Sequence, residues 1–197
     1  MTTPAACMDE FRALPLRCHA LLHDVPLHDV WVIDLPGGGS GRTMRDVDEI
    51  PGLGQPGPRP LAVRILFAVR VSLGRVFRWD TPRRKRLDDS YLQRLSDDDR
   101  TRSLVTPGTR RGIFRLFYVF DNESLGEARN ATVHAFLVTA LRPRDDGYRL
   151  YWAIYVKPAG WLTPLYMALI DPFRRWIVYP ALIRQTQAAW LAVHCQP

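Results

Sequence analysis

Between Glu123 and His134 the chain gathers carboxylates, an arginine, an amide, a hydroxyl and an imidazole inside an otherwise apolar region. A histidine beside a carboxylate can move a proton to or from a carbon acid, because the carboxylate tunes the imidazole's proton affinity. Read as one strand, alternation with period two puts Asn130, Thr132 and His134 on one face and Glu127 and Arg129 on the other. A bulge near Gly126 would bring the two sets together. His134 and Glu127 are thus the candidate acid–base pair, and Arg129, Asn130 and Thr132 are candidate ligand contacts. Flanked by Val133 and Phe136, His134 equally suits a structural role, bonded to a neighbouring strand or to Tyr118.

Other chemistry-bearing patterns fail on their spacing. HDVWVIDL, residues 28–35, runs into Pro36, three glycines, Ser40, Gly41, Arg42 and Thr43. A phosphate loop needs glycine where Pro36 stands and lysine where Arg42 stands. The loop reads instead as a turn, with Thr43 capping a short helix and Asp46 completing the capping box. His19 and His23 would share a helical face, but no acidic or cysteine partner completes a metal spacing. The bases of residues 83–86 lack interleaved aromatics and read as a solvated loop, not a nucleic-acid site. No metal, cofactor or nucleic acid is expected.

The elements that would position a site come from alternation. Residues 28–35 form one strand and 113–121 another. Residues 127–142 read as a third, and the turn at residues 143–147 returns the chain into 148–157. Antiparallel pairing is expected between 113–121 and 129–141 and between 132–141 and 148–157, with the first strand at an edge. A hidden strand near Ser103–Val105 would extend the sheet. In the last strand Tyr148, Leu150, Trp152, Ile154 and Val156 share one face; Arg149, Tyr151, Tyr155 and Lys157 share the other. Residues 1–27 read as an irregular lead-in with a short helix broken at Pro15, and residues 28–195 as a single domain. Residues 61–77 read as a buried helix, Ser90–Leu95 as a short polar one, and SDDD from Ser96 as a second capping box.

The C-terminal third supplies the cover. Thr163-Pro164 and Asp171-Pro172 each place a cap residue before proline at the first helical position. A short helix over 164–170 and a longer one over 172–194 follow. Pro180 removes a backbone donor and should bend or interrupt the longer helix. Arg174, Arg175 and Arg184 are expected in solvent or against a headgroup. A bent helix cannot lie flush on a curved sheet, which is a physical source of a cavity. Large aromatics such as Tyr118, Trp152 and Trp176 could line it.

This order resembles the helix-grip arrangement of START, polyketide-cyclase and related ligand carriers. In those, a curved antiparallel sheet wraps a C-terminal helix and leaves a cavity between them. The resemblance implies an α+β fold with a long kinked C-terminal helix, though only four strands are visible here where such folds commonly have more. The segments SYLQRLSDDDRTRSLVTPGT, ESLGEARNATVHAF and GYRLYWAIYVKPAGWLTPLYMALIDPFRRWIVYPALIR resemble an uncharacterised bacterial family, with related domains fused to short-chain dehydrogenases. That likeness covers most of residues 28–190 and implies no activity.

Composition bounds the rest. With 47% hydrophobic and 24% charged residues, the chain is a globular protein and not a disordered one. Its net charge of +7, almost all arginine, could attract phosphates or anionic lipid. Three cysteines without metal spacing suit free thiols in a reducing compartment. The N-terminus lacks a signal-peptide core, and no run reaches the roughly 18–20 apolar residues of a spanning helix. The expectation is a soluble, cytoplasmic protein that binds a small hydrophobic molecule between sheet and C-terminal helix. Two alternatives stand beside it. One is a cyclase, dehydratase or isomerase using His134 in that pocket; the other is a peripheral membrane protein using Trp161, Trp176 and the arginines.

Overall fold

A computed structural model describes residues 4–50, 91–129, 133–158, 168 and 171–194. The strands are β1 (Leu27–Pro36), β2 (Arg110–Arg111), β3 (Phe114–Val119), β4 (Glu123–Arg129), β5 (Val133–Arg144) and β6 (Gly147–Pro158). They form one curved, open, antiparallel sheet in the order β1-β6-β5-β4-β3-β2. As the alternation predicts, β1 joins at an edge through β6, and β5 pairs antiparallel with β6.

Two expectations about the middle of the sheet are corrected. Residues 127–142 are not one strand: Arg129 lies opposite His134, so the chain reverses between them and β3 pairs with β4 instead of with 129–141. The expected bulge is also displaced. The extra residue is Phe117 in β3, opposite the step from Gly126 to Leu125. Residues 103–105 are not a strand, although Leu104 donates one backbone hydrogen bond to Val119 at 2.8 Å. The strand beyond β3 is the two-residue β2.

Both faces of the sheet are covered. On one face lie helices α1 (Pro4–Arg12) and α2 (Arg17–Leu21) and a 3-10 turn, Tyr91–Arg94. Phe11, Cys18, Leu21, Leu22 and Tyr91 pack there against Phe117, Phe136, Val138, Tyr151 and Tyr155. The N-terminal segment is therefore not irregular. It breaks where Pro15 demands, and it buries the β6 side that carries Tyr151 and Tyr155. On the other face α3 (Met44–Asp48) and the C-terminal helix bring Met44, Val47 and Trp190 onto Ile33, Leu35, Leu141, Leu150 and Trp152.

The C-terminal helix runs through Pro180. A π-helical turn, Arg174–Val178, leads into α5, Tyr179–His194. In the π-turn the Tyr179 N–H reaches the Arg174 carbonyl, a widened turn that lies just before the residue with no N–H of its own. Trp190 locks the helix down: it is fully buried, and its indole N–H donates to the Pro36 carbonyl at 3.1 Å. The glycine loop closes around the same place. Gly38 has φ +90°, and an added Cβ would come within 2.7 Å of the Trp190 ring. Tyr148 donates to the Gly39 carbonyl at 2.9 Å and accepts from the Arg42 N–H at 3.0 Å. Arg42 is spent internally on Gly38 and Asp46, so the loop clasps helix to sheet.

Both capping boxes form. Thr43 with Asp46 starts α3, and Ser96 with Asp99 starts α4, Asp97–Arg102. Asp99 also ties α4 to α2, receiving Arg17 through its Nε and Nη2 at 3.0 and 2.8 Å. Burial alone would raise the Asp99 pKa, but Arg17 and Ser96 outweigh it and hold the carboxyl below its ordinary value. Asp24, bonded by Arg94 and Tyr91, is depressed in the same way. A carboxyl with a depressed folded-state pKa contributes stability above its unfolded pKa and loses it as pH falls. The urea midpoint should hold between pH 7 and 5 and fall steeply below about pH 4. Asp99→Asn should be less stable at pH 7 and lose less on acidification. The buried helix expected over 61–77 and the bases at 83–86 lie outside the described residues.

Candidate functional site

The reversal between β4 and β5 brings the predicted acid–base pair together by a route other than a bulge. Glu127 lies opposite Phe136 and Arg129 opposite His134, so all four share a face. His134 and Glu127 are both buried, with Nε2 2.8 Å from the carboxylate Oε2. Arg115, cross-strand to Glu127, stands 3.8 Å from its other oxygen. Tyr91 meets the imidazole edge-on at 5.6 Å, and Phe136 lies beneath it at 4.4 Å.

That pair is embedded in a set of groups that satisfy one another. Lys157, directly opposite His134, donates to the Tyr91 hydroxyl at 2.8 Å. The hydroxyl donates in turn to Asp24 at 3.0 Å. Arg94 holds Asp24 through both nitrogens and caps the end of α2 at the Leu21 carbonyl. This network pins α2 and the 3-10 turn to the sheet. It lies on the face of the N-terminal helices, whereas Trp152 packs with Trp190 on the other. Among the described residues, the sheet stands between His134 and the C-terminal helix.

The remaining predicted residues are scattered. Tyr118 stacks on Phe120 at 4.2 Å and donates to buried Glu123, on the His134 side. Arg129 is exposed. Trp176 is 80% exposed on the π-turn with Ile177 beside it. Asn130 and Thr132 lie outside the described residues, as does Trp161. Cys7 and Cys18 are buried free thiols. Among the described residues no group of three or more His, Cys, Asp or Glu could hold a metal. No described helix is long and apolar enough to cross a membrane.

The face beneath the C-terminal helix carries a polar set that the sequence reasoning missed. Asp29 shares its face of β1 with Trp31, Ile33 and Leu35, and is 7% exposed. Neither of its carboxylate oxygens receives a hydrogen bond. Arg174 Nη2 stands 3.7 Å from Oδ2, too far for one. Trp31 and Trp152 are cross-strand partners; both indole N–H groups are buried, the Trp31 indole beside Asp29, and neither has an acceptor within hydrogen-bonding geometry. Tyr179 of α5 lies on Trp31 with ring centres 4.6 Å apart.

Arg174 is fixed beside this set. It donates to Asp171 at 2.8 Å and to the Tyr179 hydroxyl, and His28 holds the other Asp171 oxygen at 2.9 Å. The expected solvent position of Arg174 is thus corrected: its side chain is only 12% exposed, unlike Arg175 and Arg184. Burial pushes the Asp29 carboxyl above its ordinary pKa; Arg174, His28 and the neighbouring Trp31 indole pull it down, and Asp171 adds to the rise. A signal was present in the sequence: Asp29 has the parity of Trp31, Ile33 and Leu35, an acid on an apolar face.

A raised folded-state pKa means that ionised Asp29 costs stability, and increasingly so as pH rises through that pKa. Asp29→Asn should therefore unfold at a higher temperature than the parent at pH 8, by an amount worth about 1–2 kcal/mol. The difference should shrink at pH 5. Differential scanning fluorimetry across that range checks both signs.

No curated protein matches the chain. A family model does, over residues 21–181, a span that takes in β1 with Asp29 and Trp31, the whole sheet, the π-turn and the start of α5. The chain belongs to the protein family of unknown function DUF2867.

Proposed function

We propose that this protein binds a small, largely apolar molecule between its sheet and its C-terminal helix. One observation carries the reading: Asp29, Trp31 and Trp152 bring unmatched polar groups to a single buried patch of an otherwise apolar face. Buried polar groups are nearly always bonded, and a small number of them within an apolar wall is the composition of a ligand site. The reading draws support from the curved open sheet and terminal helix, which suit a helix-grip, START-like carrier. The C-terminal element carries a π-turn, and π-turns recur at functional sites. Free buried thiols fit a reducing cytoplasm.

A second reading draws on the 2.8 Å bond between His134 and Glu127. Proton transfer there would proceed on the opposite face, independently of the carrier site, and the surrounding Tyr91, Lys157, Asp24 and Arg94 already serve one another. Membrane contact through exposed Trp176 and Ile177 is compatible with collecting an apolar ligand from a lipid surface.

Native mass spectrometry of protein purified from its own host tests the binding reading. A fraction of the protein should carry a mass increment that denaturing conditions remove. Bare chain in every preparation, together with no uptake of any alkyl compound, would refute it.

A further inference from the structure

The unmatched groups beneath the C-terminal helix specify one kind of polar head. We infer that the bound molecule carries an uncharged hydroxyl-type group, which donates to Asp29 and accepts from an indole N–H of Trp31 or Trp152. This rests on the binding reading above and narrows it.

The argument is an inventory of donors and acceptors. Asp29 offers two carboxylate oxygens that receive no hydrogen bond, and Trp31 and Trp152 offer one N–H donor each. The three positions are contiguous, since Trp31 is two residues along β1 from Asp29 and directly across from Trp152. An ammonium has donors only. It would leave both indoles unmatched and add a second cation beside Arg174, which already stands 3.7 Å from Asp29. A carboxylate has acceptors only. It would meet Asp29 oxygen to oxygen, and Arg174 is already engaged with Asp171 and Tyr179. A hydroxyl has one donor and two acceptor lone pairs, and so can serve both kinds of protein group at once.

Burial makes the mismatch expensive. With Asp29 7% exposed, water cannot compensate a wrong head, and a site built to bond a hydroxyl strongly rejects analogues that cannot do so. The tail has apolar company: Ile154 lies across from Asp29, with Leu137 across from Ile154, and Leu137, Leu182 and Ile183 pack onto the same cluster.

Calorimetric titration with 1-octanol, octanoate and octylamine, equal in chain and different in head, tests the inference at pH 7. Octanol should bind at least about tenfold tighter than either charged analogue, the size of one well-made hydrogen bond to a charged group. In Asp29→Leu the preference should collapse to within about twofold. If that variant does not fold, the order measured on the parent protein decides alone. Octanoate or octylamine binding as well as octanol would overturn the inference while leaving apolar binding intact. Failure of all three to bind would overturn the binding reading, and this inference with it.

Discussion

Trp190→Ala should lower the stability of this protein by about 3–5 kcal/mol, the usual cost of deleting a large aromatic from a packed core. Trp190 is fully buried and packs edge-on against Tyr148 at 5.8 Å. Its indole N–H also satisfies the Pro36 carbonyl. The glycine loop cannot collapse into the space, because Gly37 to Gly39 hold positive φ angles of 67°, 90° and 70° and Tyr148 holds the loop from below. A cavity therefore persists, and its cost adds to the lost burial. Chemical denaturation with far-ultraviolet circular dichroism measures the loss. A cost below about 1 kcal/mol would mean that the C-terminal helix is held elsewhere.

His134→Ala should cost about 3 kcal/mol at neutral pH, because it strands Glu127 in a buried position with, among the described residues, Arg115 as its remaining cationic neighbour at 3.8 Å. Ligand affinity should not change, since the sheet separates His134 from the C-terminal helix. The double variant with Glu127→Gln should recover part of the loss, a coupling that a double-mutant cycle isolates. Reduced ligand affinity with stability intact would move the functional centre to the N-terminal-helix face.

Much of this was legible in the sequence, for definite reasons. Alternation located β1, β3, β5 and β6, and two Ser/Thr-x-x-Asp boxes located α3 and α4. The Glu127–His134 pair was legible as a juxtaposition, but its geometry was not. Asn130 is the lone turn-forming residue in the run of residues 127–142, so two strands read as one. That single reversal moves Glu127 to the side of His134, since every residue beyond a turn changes its partner and face.

The two-sided burial of the sheet was hidden for another reason. Arg149, Tyr151, Tyr155 and Lys157 look like an outward face. However, Tyr151 and Tyr155 are covered by α1 and α2, and Arg149 is neutralised by Asp34 and Glu10 at 2.8 and 3.1 Å. Long-range pairs of that kind leave no local pattern. Asp29 belongs to no catalytic or metal-binding spacing, although its parity among Trp31, Ile33 and Leu35 marks it as an acid in the wrong solvent.

The central claim is that a ligand meets the patch formed by Asp29, Trp31 and Trp152. Each tryptophan indole N–H gives its own signal in an amide-correlation nuclear magnetic resonance spectrum, assignable by single tryptophan-to-phenylalanine variants. Titrating the three octyl compounds in turn should move the signals of Trp31 and Trp152 with the compound that binds. The Trp190 signal, bonded to Pro36, and that of exposed Trp176 should stay in place. Movement confined to Trp176, or none among Trp31 and Trp152 at saturation, would contradict the account.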